Sequence, residues 1–356
     1  MKATGWGLRL VVLACLVGGS ACDSNEDSPA GTGGAGSGGS GAGAGGTHAG
    51  NDAATHDGGP GGEGGTGGSP LDGGAGDAQS DSSANDAGSR DAGPQPVPSA
   101  GCSNNAGRPE NGQVIVADHH YLAFPAGYDG TTPMPVLFGF HGCAPVNRGT
   151  DIDSTEWMRE TNGTAFADEY VRAVPVSAAS DGCWRYGDDI DRVKSVYDEL
   201  LANHCVDTSR VFATGHSSGA QFITQVLLTQ HVNDAQHFGF KAVTPFASSD
   251  YGAQSGPMPV LYIQGQMDAE RGNGDGHEAV ARFASANSCG STSTPYTQVA
   301  GCMSGATSVT PGCIRYDGCA ATTIWCSHND PNYSGTQHGI PCFGLTAMHD
   351  FFQSLP

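Results

Sequence analysis

Residues 210–228, RVFATGHSSGAQFITQVLL, run from an apolar strand into an amphipathic helix through Gly215-His216-Ser217-Ser218-Gly219. The spacing fits G-x-S-x-G, in which a sharp strand-to-helix turn exposes the serine Oγ. A bare serine hydroxyl is a poor nucleophile near neutral pH. Chemistry at Ser217 therefore needs a histidine to take its proton and a carboxylate to orient that histidine. Glycine and serine are abundant in this chain, and a serine between two glycines also occurs in ordinary turns, so the pentapeptide alone is weak evidence. Its weight depends on whether the partners follow in the right order.

On a strand-to-helix elbow the order is Ser, acid, His. PVLYIQGQMD (259–268) sets Asp268 just past a strand, and Asp250, after TPFASS, is the second candidate one strand earlier. TTIWCSHNDPNYSGTQHGIPCF (322–343) offers His328 at a strand end and His338 in a Gly-flanked loop before the last helix. The loop gives His338 the reach to return over the elbow. The developing oxyanion needs two backbone donors. One is the N–H of Ser218; the other comes from FGFHGCAP, at Cys143 or its neighbour, where His141-Gly142-Cys143 forms a turn after a strand. His141, Trp184, Tyr186 and Ile340 are candidates for a substrate pocket, with buried structural aromatics as the alternative for Trp184 and Tyr186. Asp188 and Asp189 read as the start of a helix and are assigned no chemistry.

These residues need a scaffold. Apolar runs of strand length recur at 113–117, 120–124, 135–140, 171–176, 210–214, 241–246, 259–264 and 322–327. Helical spacing is clearest from Asp188, with Ile190, Val193, Tyr197, Leu200 and Leu201 on one face; further helices begin near Ser154, Ser218, Gly276 and Leu345. The first two strands are close enough for a hairpin, and thereafter strands alternate with helices. That pattern predicts an α/β fold with a mostly parallel, eight-stranded sheet covered on both faces, the elbow following the fifth strand.

The rest of the chain bears on where the domain works. Residues 1–22 carry Lys2 and Arg9, a short apolar run from Leu8 to Val17, and GGSAC. The run is too short to span a bilayer and reads as a signal peptide. It ends either in lipidation of Cys22 or in simple cleavage after Ala21, and both export the protein. Residues 23–100 hold 24 of the 56 glycines and almost no large apolar residue, the composition of a disordered tether. Of the net charge of −21 the tether carries −10 and the leader +2, which leaves −13 for residues 101–356. That balance argues against nucleic acid or anionic lipid as a partner, leaving the membrane contact to the N-terminal anchor. Ten of the twelve cysteines lie in 101–356, read as up to five disulfides of an exported protein with their pairing open. No C-x-x-C or H-E-x-x-H pattern points to a metal, and no cofactor is implied.

With YLAFPAGYDG, PVLFGFHGC, CWRYGDDID, CVDTSRVFATGHSSG, PVLYIQGQMD and GTQHGIPCF in this order, the domain resembles a family of secreted esterases. The family includes feruloyl and acetylxylan esterases and poly(3-hydroxybutyrate) depolymerase-like proteins. The resemblance implies an α/β-hydrolase fold and ester hydrolysis through an acyl-enzyme on Ser217, with Asp268 and His338 completing the triad. Ile340 stands where this family often has tryptophan, and Ala220 where glycine is frequent after the elbow. The competing expectation is a surface protein of the same fold that binds a glycan or protein partner without turnover.

Overall fold

The computed structural model describes residues 95–104, 109, 112–117, 119–143, 156–185, 187, 189–228, 238–249, 256–270, 272–333 and 335–356. The signal peptide with Cys22, almost all of the tether, Asp250, Tyr186, Asp188 and the helix start near Ser154 lie outside these residues.

All eight expected strands form: β1 (Val114–Ala117), β2 (His120–Ala123), β3 (Met134–Phe140), β4 (Val171–Pro175), β5 (Val206–His216), β6 (Ala242–Phe246), β7 (Val260–Gly265) and, after the short β8 (Ser293–Pro295), β9 (Cys302–Ser304), β10 (Thr307–Val309) and β11 (Gly312–Tyr316), β12 (Thr323–His328). The main sheet has ten strands in the order β1-β2-β4-β3-β5-β6-β7-β12-β11-β8. From β4 through β3, β5, β6 and β7 to β12 every pairing is parallel, while β1, β2, β11 and β8 pair antiparallel. The first eight in this order form the α/β-hydrolase sheet with the β1–β2 hairpin at one edge. Four strands lie beyond expectation: β8 and β11 extend the other edge, and β9 and β10 pair with each other in a separate two-stranded sheet.

The strands are continuous apolar runs because both faces are covered. On β3, Val136, Phe138 and Phe140 enter one core and Leu137 the other; on β7, Val260 and Tyr262 oppose Leu261 and Ile263. The first core is closed by α4 (Ile190–Asn203), the helix after the elbow and α6 (Asn273–Ala286), through Val193, Val196, Leu200, Phe222, Ile223, Val280 and Phe283. The second is closed by α2 (Glu156–Thr161), α3 (Ala165–Glu169) and α7 (Gly344–Gln353), through Trp157, Phe166, Met348, Phe351 and Phe352. Buried aliphatic and aromatic side chains of this kind each contribute about 1.5–3 kcal/mol.

All ten cysteines of the domain pair: Cys102–Cys205, Cys143–Cys183, Cys289–Cys319, Cys302–Cys342 and Cys313–Cys326. Cys102–Cys205 ties the short α1 (Gly101–Asn104) to the start of β5. The chain joins the domain before Gly101: Val97 donates to Asp207 Oδ1 at 2.9 Å and Ser99 to the Val206 carbonyl at 2.9 Å. Three disulfides gather in the β8–β11 extension, and Cys313 and Cys326 face each other across the β11–β12 pair. Five disulfides belong to an oxidising, extracytoplasmic compartment. Among the described residues no helix is long and apolar enough to cross a membrane.

Candidate active site

The parallel strands all deliver their carboxyl ends to one edge of the sheet, where ligands bind in open α/β sheets. β5 ends at His216, and Ser217 follows with φ 52° and ψ −117°. A left-handed φ on a non-glycine residue is costly and persists only when its surroundings over-determine it. Here the Ser217 N–H donates to the Phe246 carbonyl at the end of β6 (3.0 Å), and α5 (Ser218–Gln221) starts at once. A Cβ on Gly219 would lie 2.2 Å from the Phe140 carbonyl oxygen, and one on Gly215 would lie 2.7 Å from the Ala220 nitrogen. Both glycines of the motif are therefore needed for the new helix to turn back tightly against β3 and β5. The helix widens into a π turn over Phe222–Leu227.

Past β7, Asp268 is buried and accepts from His338 Nδ1 with both carboxylate oxygens, at 3.0 and 3.0 Å. Its Oδ1 also accepts the Glu270 N–H at 2.9 Å, and its Oδ2 accepts from Gln264 Nε2 at 2.8 Å. Gln264 is in turn fixed by the Ser248 N–H. His338 is thus held as the Nδ1–H tautomer, which leaves Nε2 for chemistry. Nε2 is buried without a hydrogen bond, and the carboxylate of Glu270, 53% exposed, lies 3.3 Å from it. The His338 loop is braced from behind. Asn332 accepts the Gly339 N–H and donates to the Ile340 carbonyl, Asp330 accepts the Cys342 N–H, and Cys342 is bonded to Cys302.

His328, the other candidate base, is buried at the end of β12, with Nδ1 accepting the Asp330 N–H at 3.2 Å. Burial pushes its pKa down to about 4 despite the charges of Asp330 and Asp268, so it is a neutral structural residue.

On the other flank, the loop after β3 brings His141, Gly142 and Cys143 toward the elbow. The His141 ring donates from Nδ1 to the Gly142 carbonyl (2.8 Å) and accepts the Ser177 N–H at Nε2 (3.3 Å). Burial lowers its pKa, keeping it neutral. Trp184 Nε1 donates to the His141 carbonyl at 2.9 Å, and the Trp184 amide donates to Ser218 Oγ at 2.9 Å. Its indole stacks on Phe222 and meets Phe140 edge-on. These are the contacts of a structural aromatic; Trp184 is buried, as is His141. Asp189 holds this loop in place by accepting the Ala178 and Arg185 N–H groups, and Cys143–Cys183 ties it to the loop after β3. Ile340 is partly buried against the second core.

Sequence reasoning missed Glu156, Gln264, Asn332 and Tyr333. Tyr333, 55% exposed and at φ 53°, makes T-shaped contacts with both His216 and His338, with centroids 5.9 and 5.7 Å away. The positive φ of a tyrosine leaves no mark in a sequence, and the polar side chains sit in loops with no periodicity to single them out. A cavity of about 460 Å³ lined by Arg210, Lys241, Phe352 and Gln353 lies at the opposite, amino-terminal end of β5–β7, far along the strands from Ser217.

The sequence matches no family model and no curated protein. Similar solved structures include an acetyl xylan esterase from Aspergillus awamori, 14% identical with a TM-score of 0.47, covering 67% of this chain and 98% of that one. Esterase 2 of Thermogutta terrifontis phosphorylated by paraoxon is 13% identical with a TM-score of 0.37, covering 49% of this chain and 78% of that one. Its butyrate-bound form is 13% identical with a TM-score of 0.38, covering 49% and 80%.

Proposed function

We propose that the protein is an extracytoplasmic serine esterase that hydrolyses carboxylic esters through an acyl-enzyme on Ser217. The observation that carries this reading is the combination of a strained elbow at Ser217 with a buried Asp268–His338 pair. That pair orients its imidazole while leaving Nε2 without a hydrogen bond. The further step from a binding protein to one with turnover rests on that nitrogen, which makes no hydrogen bond.

In this mechanism His338 Nε2 takes the proton of Ser217 Oγ as the oxygen attacks the ester carbonyl. Asp268 stabilises the imidazolium that results. The tetrahedral oxyanion is met by the N–H groups of Ser218 and Cys143; the Gly142 N–H is already engaged by Glu156, which leaves the next amide for this task. His338 returns the proton to the departing alcohol, leaving the acyl group on Ser217. Water, deprotonated by the same nitrogen, then releases the acid and restores the serine. Lipidation at Cys22 would hold the domain to a membrane through the Gly-rich tether. The acyl group is a feruloyl or acetyl substituent of a polysaccharide, or the ester is that of a hydroxyalkanoate chain.

The test uses the full chain produced oxidised, with p-nitrophenyl acetate, methyl ferulate and a short 3-hydroxybutyrate oligomer as substrates. Ser217→Ala is expected to lose about 10⁴-fold or more in kcat, the scale of nucleophile removal in serine hydrolases. It should also lose labelling by a fluorophosphonate. The preferred ester identifies the substrate class. No turnover and no labelling of the folded wild type leaves the binding-protein reading instead.

A further inference from the structure

Beside the elbow lies a second carboxylate–imidazole pair that the mechanism above does not use. His216, the residue before the nucleophile, is 3% exposed, and its Nδ1 lies 2.6 Å from Glu156 Oε1. The contact falls off the line of an N–H hydrogen bond, so it is chiefly charge on charge. The other ring nitrogen, Nε2, donates to the backbone carbonyl of His338 at 2.7 Å. The second oxygen of Glu156, Oε2, accepts the N–H of Gly142 at 2.8 Å. A continuous chain of contacts therefore runs from Gly142 through Glu156 and His216 to His338. It crosses the loop after β3, the first residue of α2, the elbow after β5 and the loop after β12.

We propose that Glu156 and His216 form a positioning pair that holds the oxyanion loop, the nucleophile elbow and the His338 loop in catalytic register. The inference rests on the serine-esterase reading of the same site. Neither residue touches the reacting atoms, since both nitrogens of His216 and both oxygens of Glu156 face protein groups. A base needs an open nitrogen; this ring has none.

The arrangement needs His216 charged. A neutral imidazole has one N–H, which the His338 carbonyl takes, and its bare Nδ1 would then meet a carboxylate. Burial pushes His216 toward the neutral form, but Glu156, the His338 carbonyl and Asp268 outweigh it and raise its pKa. Burial likewise pushes Glu156 up; His216 and the Gly142 N–H outweigh it and hold the carboxyl at about 2. The groups facing the pair are thus His141 from the loop after β3, Asp268 from beyond β7, and the rings of His338 and Tyr333, whose centroids lie 5.0 and 5.9 Å from that of His216. Because the His216 pKa is raised above its usual 6.5, the pair is complete below that usual value and is lost as pH rises through the raised one. Activity should then fall on the alkaline side as the loops lose register. Small misplacements of catalytic groups cost up to about 100-fold.

The test compares wild type with Glu156→Gln and His216→Gln in the full chain. Glu156→Gln keeps an acceptor for the Gly142 N–H but removes the charge; His216→Gln keeps a donor of similar reach for the His338 carbonyl. In Glu156→Gln we expect kcat to fall about 10- to 100-fold with KM changed less than about threefold. The alkaline limb of its kcat profile should move to lower pH, since the group that most raises the His216 pKa is then gone. In His216→Gln kcat should fall similarly and that alkaline limb should disappear. A folded Glu156→Gln with wild-type kcat and an unmoved alkaline limb overturns the inference while leaving the esterase intact. Loss of kcat only in proportion to the unfolded fraction, followed by circular dichroism, overturns it too, since that is a purely structural role. If Glu156→Gln does not fold, His216→Gln decides alone: an alkaline limb matching wild type overturns the proposal. A folded wild type with no ester turnover and no Ser217 labelling overturns both this inference and the reading beneath it.

Discussion

The two flanks of Ser217 each hold a buried imidazole against a carboxylate, and they differ in what the imidazole has left over. On the β7–β12 flank, Asp268 takes His338 Nδ1 with both oxygens and Nε2 makes no hydrogen bond. On the β3–β5 flank, Glu156 faces Nδ1 of His216 while Nε2 is spent on a backbone carbonyl. The same two side-chain types thus serve opposite ends. One pair leaves its second nitrogen beside the exposed carboxylate of Glu270; the other sets it against a carboxylate, Glu156, that is itself held by the Gly142 N–H. Proximity to a serine and a favourable charge partner do not make a histidine a base.

The sharpest way to break this comparison is to damage the two carboxylates alike. Asp268→Asn keeps the shape of the side chain, but its amide cannot serve as the charged acceptor that fixes the Nδ1–H tautomer and stabilises the imidazolium. It is expected to cost about 10⁴-fold in kcat, as the corresponding change does in serine proteases. Glu156→Gln, acting only through position, is expected to cost at most about 100-fold. Steady-state kinetics on the preferred ester checks both. Equal losses would mean that the flanks do not divide the work in this way.

The two flanks were unequally legible in the sequence. The β7–β12 side was readable because Asp268 and His338 each follow an apolar strand at a fixed place in the order Ser, acid, His, and strand periodicity survives in a linear string. The eight main strands were readable for the same reason. β8 and β11 were not: their burial is mixed or fully exposed, and they are pinned by pairing and by disulfides whose connectivity no spacing reveals. Glu156 was hidden differently. It opens a helix of six residues, where an acidic residue is ordinary, and its partners Gly142 and His216 are 14 and 60 positions away. His216 occupied the variable position of G-x-S-x-G and so drew no attention. Trp184 was singled out for its type, and its indole N–H shows where it belongs: on the His141 carbonyl.

A second test asks what a histidine does on the base's flank when it lacks both an open site and a carboxylate pressed against it. His328 is 1% exposed, and burial lowers its pKa to about 4. In the unfolded chain it titrates near 6.5, so between about 6.5 and 4 the unfolded state binds more protons than the folded one. Stability therefore falls as pH drops through that window, by a few kcal/mol when complete. His328→Asn removes this titration. Its Tm should change less steeply than that of wild type between pH 6.5 and 4, although His120, His141 and His204, also lowered by burial, keep part of the slope. A Tm profile parallel to wild type across the window would show that His328 is not held neutral.

The smallest expected effect lies where the two flanks meet. Tyr333 meets both imidazoles in T-shaped contacts, is more than half exposed, and belongs to neither pair. An aromatic face at the mouth of a site offers contact area to a substrate at little entropic cost, since only two torsions must be fixed. Because it makes no hydrogen bond to a reacting atom, its contribution should be similar in the ground and transition states. Interactions of that kind alter KM and leave kcat nearly unchanged. Tyr333→Ala is therefore expected to raise KM about three- to tenfold, consistent with the modest value of one aromatic contact. The effect should be larger for methyl ferulate than for p-nitrophenyl acetate if the ring meets the acyl group. A fall in kcat at constant KM would instead make Tyr333 part of the packing that positions His216 and His338, and would enlarge the strut at the expense of the pocket.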